Sequence, residues 1–386
     1  MRFYLIFTVI FMFMLAISLV QVRRQVGMAH HASLVLLALG LVMSLLLAST
    51  RVMPESWSPD LARPMWWLGY GSFAAVSYLF LFQVCLLFAE ITAWLTARAL
   101  VPFFRSPRAL YLAFALTGMV LAYGSVELDN VRVLSRQIPS AKVSRPVRLV
   151  AVSDLHLGVM STPARIDSLV ALIRAQRPDL LLLVGDIVND HPDSLEPLAA
   201  KFKDVAPRLG TYGVFGNHER YEGDLASGRV YGWAGARVLR NEALSLPEAG
   251  VQLLGVEDPG RAPDTAAYVA EEIRALGPQL DPALFRVLLN HRPLAWREVA
   301  QPLGIELMLS GHTHRGQVFP FYMVVARFNE FMGGFYESRG PDIQGLVLGV
   351  SAGAGFWGPP LRVLAPPDIL VVDIVPAATA TNPPAQ

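Results

Sequence analysis

The hydrophobic pattern changes character once along the chain. Up to about Ser125 the apolar residues come in unbroken runs, and from about Arg145 they come in short bursts divided by polar turns. Four early runs, roughly Phe3–Val20, Ala32–Ser49, Leu68–Leu95 and Leu110–Ser125, are read as helices that cross a bilayer, which takes about 20 residues. The first two hold no charged residue, the third holds Glu90 near its end, and the fourth is the shortest. Three such runs before residue 96 argue against buried helices of a soluble protein. Gln21-Val22-Arg23-Arg24 after the first run is a poor small-residue cleavage site, and its arginines follow a spanning run, so they read as loop charges.

In the second half the pattern alternates. Val147–Ser153, Leu180–Val184, Thr211–Phe215, Val251–Val256, Phe285–Leu289, Ile305–Leu309, Gly345–Val350 and Ile369–Ile374 are short apolar runs that predict strands. Pro163–Gln176 has helical spacing, with Ile166, Leu169, Val170 and Ile173 on one face, and Leu195–Val205 predicts a second helix. Strands divided by helices predict a layered α/β domain. The expected organisation is a transmembrane domain of about four helices over 1–126, a linker over 127–146, an α/β domain over 147–376 and a disordered Ala/Thr/Pro-rich tail over 377–386.

Composition sharpens this division. The chain has 386 residues, is 53% hydrophobic and only 16% charged, against about 25% charged in soluble proteins. A net charge of +1 gives no electrostatic call for nucleic acid, and no basic aromatic-rich strip is present. The single cysteine, Cys85, excludes an intrachain disulfide. Arg23, Arg24, Arg98, Arg105 and Arg108 fall in loops on one side, against Arg2, Arg51 and Arg63 on the other. The positive-inside rule then places both termini and the α/β domain outside the cytoplasm, although the basic run Lys142, Arg145 and Arg148 pulls the other way. Glu90 and Gln83 are the main polar residues within the spans, too few for an ion or proton path, so the helices read as an anchor.

Candidate chemistry gathers at the ends of five predicted strands. They close in Ser153-Asp154-Leu155-His156, Gly185-Asp186, Gly216-Asn217-His218-Glu219, Asn290-His291 and Gly311-His312-Thr313-His314. Ligands collect at the carboxyl ends of strands in α/β folds. Five of the six histidines after residue 147 sit there; the sixth, His191, lies in a loop and is expected in solvent. Gly185, Gly216 and Gly311 allow tight turns beside a metal.

Taken in order, these motifs resemble the calcineurin-like metallophosphoesterase family, in its membrane-attached bacterial branch. Gly255-Val256-Glu257-Asp258-Pro259 and Ala365-Pro366-Pro367-Asp368-Ile369 fit that branch. The resemblance implies a calcineurin-like four-layer α/β sandwich, two sheets flanked by helices, here preceded by an all-α transmembrane helical domain. It also implies two divalent metal ions. Asp154, His156 and His314 would hold one, Asn217, His291 and His312 the other, and Asp186 would bridge them. His218 would stabilise the phosphate or protonate the leaving group. Arg315 stands where the family often has glycine, and could contact a substrate phosphate. Imidazole and oxygen donors without thiolate suit Mn, Fe or Zn.

The implied activity is a membrane-anchored phosphoesterase of a bacterial inner membrane. It would hydrolyse a phosphodiester, pyrophosphate or lipid-linked phosphoester by attack of a hydroxide held between the metals. A membrane sensor or transporter using the domain as a binding module is the alternative. The pattern says nothing of oligomeric state. One run stays ambiguous: Val318–Tyr336 carries seven Phe and Tyr residues and reads either as a hairpin packed in the core or as an apolar lip for a bilayer or acyl chain, which Phe356-Trp357 would extend.

Overall fold

A computed structural model describes residues 2–49, 59–190, 192–340 and 343–377. The expected tail from 378 onward, His191 and the loop charge Arg51 lie outside the described residues. The chain forms two compact units: Met1–Val126 with Gly358–Leu361, and Glu127–Trp357 with Arg362–Gln386.

The first unit is built from helices at Arg2–Val26, His30–Ser49, Pro59–Thr96 and Pro107–Glu127. Leu5–Val26, Asp60–Thr96 and Pro107–Glu127 are long and apolar enough to cross a membrane by length and composition, and His30–Leu46 is a shorter apolar helix. Their large side chains point outward as often as inward: Phe13, Leu45, Phe88 and Leu95 are all exposed. That inversion suits hydrocarbon outside rather than water. Inside, Phe11 is buried against Phe73, ring centroids 6.1 Å apart. At Gly40 the helices approach closely, since a Cβ there would stand 2.1 Å from Leu15 Cδ2.

Buried charge and amides in this unit satisfy one another. Glu90 accepts from Arg24 Nη2 at 2.9 Å and from Arg105 Nε at 2.6 Å, and the Gln25 and Gln83 amides exchange hydrogen bonds at 3.2 and 3.3 Å. Arg24 ends the first helix and Arg105 follows the third, so these two loops share one end of the unit.

Among the described residues the second unit contains twelve strands: β1 (Arg132–Ser140), β2 (Val147–Val152), β3 (Leu180–Val184), β4 (Thr211–Val214), β5 (Ala236–Val238), β6 (Glu242–Leu246), β7 (Val251–Val256), β8 (Phe285–Asn290), β9 (Leu307–Ser310), β10 (Gly334–Gly340), β11 (Ile343–Val350) and β12 (Asp368–Pro376). They form two six-stranded sheets, in the orders β1-β12-β2-β3-β4-β5 and β10-β11-β9-β8-β7-β6. Strands β2 to β5 run parallel, as do β7, β8, β9 and β11, so both sets of carboxyl ends can gather their loops.

The sheets pack face to face. Leu149, Leu182 and Val184 of one meet Leu253, Val287, Leu289 and Leu309 of the other in a single apolar layer. Outside the first sheet lies the helix Pro163–Ala175, burying Ile166, Leu169, Val170 and Ile173 as its spacing predicts. Outside the second lies Thr265–Ala275, burying Val269 and Ile273. Strands covered on both faces need apolar residues at successive positions, which is why Leu180–Val184 reads LLLLV. The result is the four-layer sandwich of two sheets flanked by helices.

Four local expectations change. The segment 127–146 is not a plain linker, because β1 pairs with β12 from Arg132↔Asp368 to Ser140↔Pro376. Its polar alternation and Pro139 suit an edge strand, which hides it from a search for apolar runs. Leu195–Val205 breaks into the short helix Glu196–Ala199 and a 3-10 turn over Ala200–Val205. Ile305–Leu309 starts later, at Leu307. The run Val318–Tyr336 is no hairpin: it holds the helix Phe321–Phe328 and then β10. Phe331 within it is buried and packs on Trp296 and Tyr336, ring centroids 5.4 and 5.0 Å away.

Candidate metal centre

Each candidate residue leaves a strand end on a tight turn. Asp154 and His156 follow β2, Asp186 follows β3, Asn217 and His218 follow β4, His291 follows β8, and His312 and His314 follow β9. Asp154, His156, Asp186, His312 and His314 all have left-handed backbones, with φ of 52°, 49°, 51°, 73° and 48°. Such φ costs a side-chain-bearing residue about 1–2 kcal/mol. Five of seven candidate ligands at such angles is the signature of a site that the surrounding fold holds under strain. Arg315, at φ 50°, continues the pattern, and so occupies a position that glycine would take without cost.

The turns are also crowded. A Cβ on Gly216 would stand 2.2 Å from Asp186 Oδ1, and one on Gly311 would stand 2.2 Å from Asp154 Oδ2. Close approach, more than backbone freedom, therefore demands glycine at both.

Three groups of side chains bring donor atoms within 4.8 Å of one another: Asp154, His156 and His314; His156, Asp186 and His218; and Asp186, His291 and His312. His156 Nε2 lies 3.0 Å from His314 Nε2, and Asp154 Oδ1 lies 3.2 Å from His314 Nε2. Asp186 Oδ2 lies 3.2 Å from His291 Nε2 and 3.9 Å from His156 Nε2. Asn217 Oδ1 is buried without a hydrogen-bond partner. Buried polar atoms are rarely left this way unless a ligand takes them up. The residues present thus fit divalent cations: two carboxylates and several imidazoles in the three groups, and the amide oxygen of Asn217, next in sequence to His218.

Electrostatics agrees. Burial alone would raise the Asp154 and Asp186 carboxyls, but His314 beside the first and His291 beside the second hold both well below the usual range. Burial lowers His291, yet the Asp186 and Asp154 carboxylates outweigh it and lift the ring to about 10. Burial and the charge of His291 push His312 down to about 3, and burial with His218 pushes His156 well below its ordinary value. The cluster keeps its anions ionised and tolerates positive charge at few imidazoles. A cation would meet the same need.

Backbone and second-layer groups fix these atoms. The His291 Nδ1 lies 2.9 Å from the Val184 carbonyl, which fixes Nδ1 as a donor and turns Nε2 toward Asp186. The His218 amide donates to Asp186 Oδ1 at 2.9 Å, and the His312 amide to Asp154 Oδ2 at 3.0 Å. The Ser153 hydroxyl donates to Asp154 as well.

Two supports of this arrangement have no role in the sequence reading: Glu219, named there only within the cluster after β4, and Arg362. The Glu219 carboxylate accepts from four backbone amides, those of Asp186, Ile187, Val188 and Gly216, at 3.0, 2.7, 2.9 and 2.7 Å. It ties the β3 turn to the β4 turn. Burial and the Asp186 charge push it up to about 7, and the Val188 amide, His291 and the Gly216 amide pull the other way. Its signal was present as a capping pattern, glutamate three positions after Gly216. Arg362 is fully buried and donates to the carbonyls of Ala352, Gly355 and His314 at 2.8, 2.6 and 3.1 Å. No local pattern announces it.

His218 lies in one donor group with Asp186, its ring edge-on to His156 at 4.6 Å, with Tyr221 at 5.6 Å and Trp357 at 6.1 Å. Arg315 is outside the three groups, exposed, and pairs with no carboxylate among the described residues.

A family model described as calcineurin-like phosphoesterase matches residues 147–316, the stretch that holds every candidate ligand. A metallophosphoesterase of Aquifex aeolicus is 32% identical over 257 residues, covering 66% of this chain and 95% of that protein. One from Helicobacter pylori is 30% identical over 242 residues, so the chain spans only 61% of that relative's length, and the match covers 61% of this chain. A transmembrane protein with metallophosphoesterase domain from Danio rerio is 28% identical over 286 residues, 68% of this chain and 62% of that one.

Proposed function

The chain belongs to the calcineurin-like phosphoesterase family, and on that premise we propose that it is a membrane-anchored, metal-dependent hydrolase of a phosphodiester, pyrophosphate or lipid-linked phosphoester. One observation carries the reading: the Asp186 carboxylate belongs to two donor groups at once, one with His156 and one with His291 and His312. Asp154, His156 and His314 would hold one cation, Asn217, His291 and His312 a second, and Asp186 would face both. Bound there, two divalent cations polarise a phosphoryl group and lower the pKa of water, and imidazole and oxygen donors suit Mn, Fe or Zn.

The remaining work falls to the chain's own side chains. Asn217 binds as a neutral oxygen and limits negative charge near an anionic substrate. His218, held at its amide by Asp186, gives a proton to the leaving oxygen. Arg315, exposed on the turn after β9, would pair its guanidinium with non-bridging phosphate oxygens, which match its donor fork. Glu219 keeps the Asp186 and Asn217 turns in register.

The three apolar helices support membrane attachment, and the loop arginines support a multi-pass orientation in a bacterial inner membrane with the catalytic unit outside the cytoplasm. A reporter fused to the C-terminus reads that side directly. For the activity, purified chain with Mn²⁺ should turn over bis-p-nitrophenyl phosphate, and Asp186→Asn should not. Folded protein inert with every divalent metal tried would instead favour a binding module.

A further inference from the structure

The helix Phe321–Phe328 follows directly on the turn that carries His312 and His314, and its apolar side faces outward. Phe321, Val324 and Phe328, at i, i+3 and i+7, form one stripe and are 47%, 54% and 81% exposed. Tyr322 and Met323 widen it, and none of the eight residues is buried. The helix carries one charge, Arg327, and no acid. Phe319, Trp357 and Leu364 are exposed as well. Apolar patches of this size mark contact surfaces.

Connectivity indicates what covers it. Gln317 accepts from the Trp357 amide at 2.9 Å and donates to its carbonyl at 2.8 Å, and the Phe319 amide donates to the Val363 carbonyl at 3.0 Å. The start of the helix is thus clamped to both ends of the segment 357–363. Trp357 also lies 6.1 Å, ring to ring, from His218. Only Leu128–Val131 separates the last apolar helix from β1, at most about 17 Å of extended chain. A bilayer crossed by this chain's own helices is therefore always within reach, whereas another protein would have to be recruited. An apolar stripe flanked by arginine and free of acids suits the boundary between headgroups and acyl chains.

We propose that Phe321–Phe328 docks onto the lipid surface of the bilayer that holds this chain, and so presents the metal centre to phosphoesters embedded in that bilayer. The docking rests on the membrane attachment argued above and is independent of the metal chemistry.

The test uses the full chain in nanodiscs of phosphatidylethanolamine and phosphatidylglycerol, in a Cys85→Ser background. Val324→Cys carries an environment-sensitive fluorophore, and Leu225→Cys, at a position 85% exposed in the other helix Asp224–Trp233, serves as reference. Doxyl lipids should quench the label at 324 at least about threefold more than at 225. Equal quenching overturns the docking, whatever the activity. A second arm pairs Val324→Ser with Phe328→Ser. It should slow hydrolysis of a lipid phosphodiester about tenfold while keeping turnover of bis-p-nitrophenyl phosphate within about twofold. Equal effects on both substrates overturn the role in presenting substrate. Wild type inert on both substrates counts against the phosphoesterase reading, and quenching alone then decides the docking.

Discussion

The helical unit and the sheet unit use their buried charges and amides to opposite ends. In the first, the buried Glu90 carboxylate is met by two arginines, and the buried Gln25 and Gln83 amides meet each other. In the second, polar atoms converge from five strand ends, and Asn217 Oδ1 is left buried without a partner. A satisfied network holds a scaffold together, and a convergent unsatisfied one waits for a ligand. The backbone tells the same story, since the apolar segments are regular helices whereas five candidate ligands sit at left-handed φ. Polar substitutions should therefore damage activity in the sheet unit and only stability in the helical unit.

Asp186→Asn should have the largest effect. It removes the charge shared by two donor groups while preserving volume, so kcat/KM for a soluble diester should fall by about 10³-fold or more. Bound metal, measured by elemental analysis, should fall with it. The sheet unit should stay folded, because the amide still accepts from the His218 backbone N–H. A folded variant with normal metal content and normal turnover would remove the reason for contrasting the two units. His218→Asn comes next, at about 10²-fold in kcat with metal content unchanged. The loss should shrink for a p-nitrophenolate leaving group, which needs little protonation. A loss of metal instead would make His218 a ligand, as its place in a donor group with His156 and Asp186 also allows.

Why was the candidate centre legible beforehand, and its supports not? The ligands announce themselves locally. Asp154 and His156, or His312 and His314, stand two apart just beyond an apolar run, next to a small residue. Glu219 and Arg362 act at a distance. Glu219 reaches amides more than thirty positions earlier in the chain, and Arg362 meets His314 from |i−j| = 48. Neither contact leaves a periodic trace. The edge strand β1 was hidden by the very polarity that suits an edge. The run Val318–Tyr336 failed in the opposite direction. Aromatic content predicts burial on average, but Phe331 is buried and Phe328 is 81% exposed, and three positions of sequence cannot separate them.

Asp368 offers a smaller test, through pH. It is buried at the start of β12, and burial lifts its carboxyl to about 6, against the Ser351 hydroxyl, the Ala352 amide and Arg362, which pull it down. A carboxyl raised in the folded state favours folding while protonated. Its contribution is therefore complete below about pH 4, the unfolded value, and is lost as pH rises through about 6. Asp368→Asn keeps the acceptor oxygen and removes the charge. Relative to the wild type it should gain stability between pH 4.5 and 7 by up to about 2 kcal/mol, read from thermal or denaturant unfolding at each pH. A constant difference across that range would mean that Arg362 already neutralises the group.

Glu90→Gln should have the smallest effect and completes the contrast from the helical side. The change removes the acceptor charge facing Arg24 and Arg105. Both arginines are partly exposed, with side chains 38% and 55% accessible, so water can replace most of what they lose. The expected cost is about 1 kcal/mol of helical-unit stability, visible as a modest drop in the unfolding midpoint in detergent. Turnover of a soluble diester should stay within about twofold, because Glu90 satisfies a scaffold and touches no candidate ligand. A tenfold loss of turnover in a protein still folded would give the helices a part in the reaction, and the division between a unit that anchors and a unit that reacts would no longer hold.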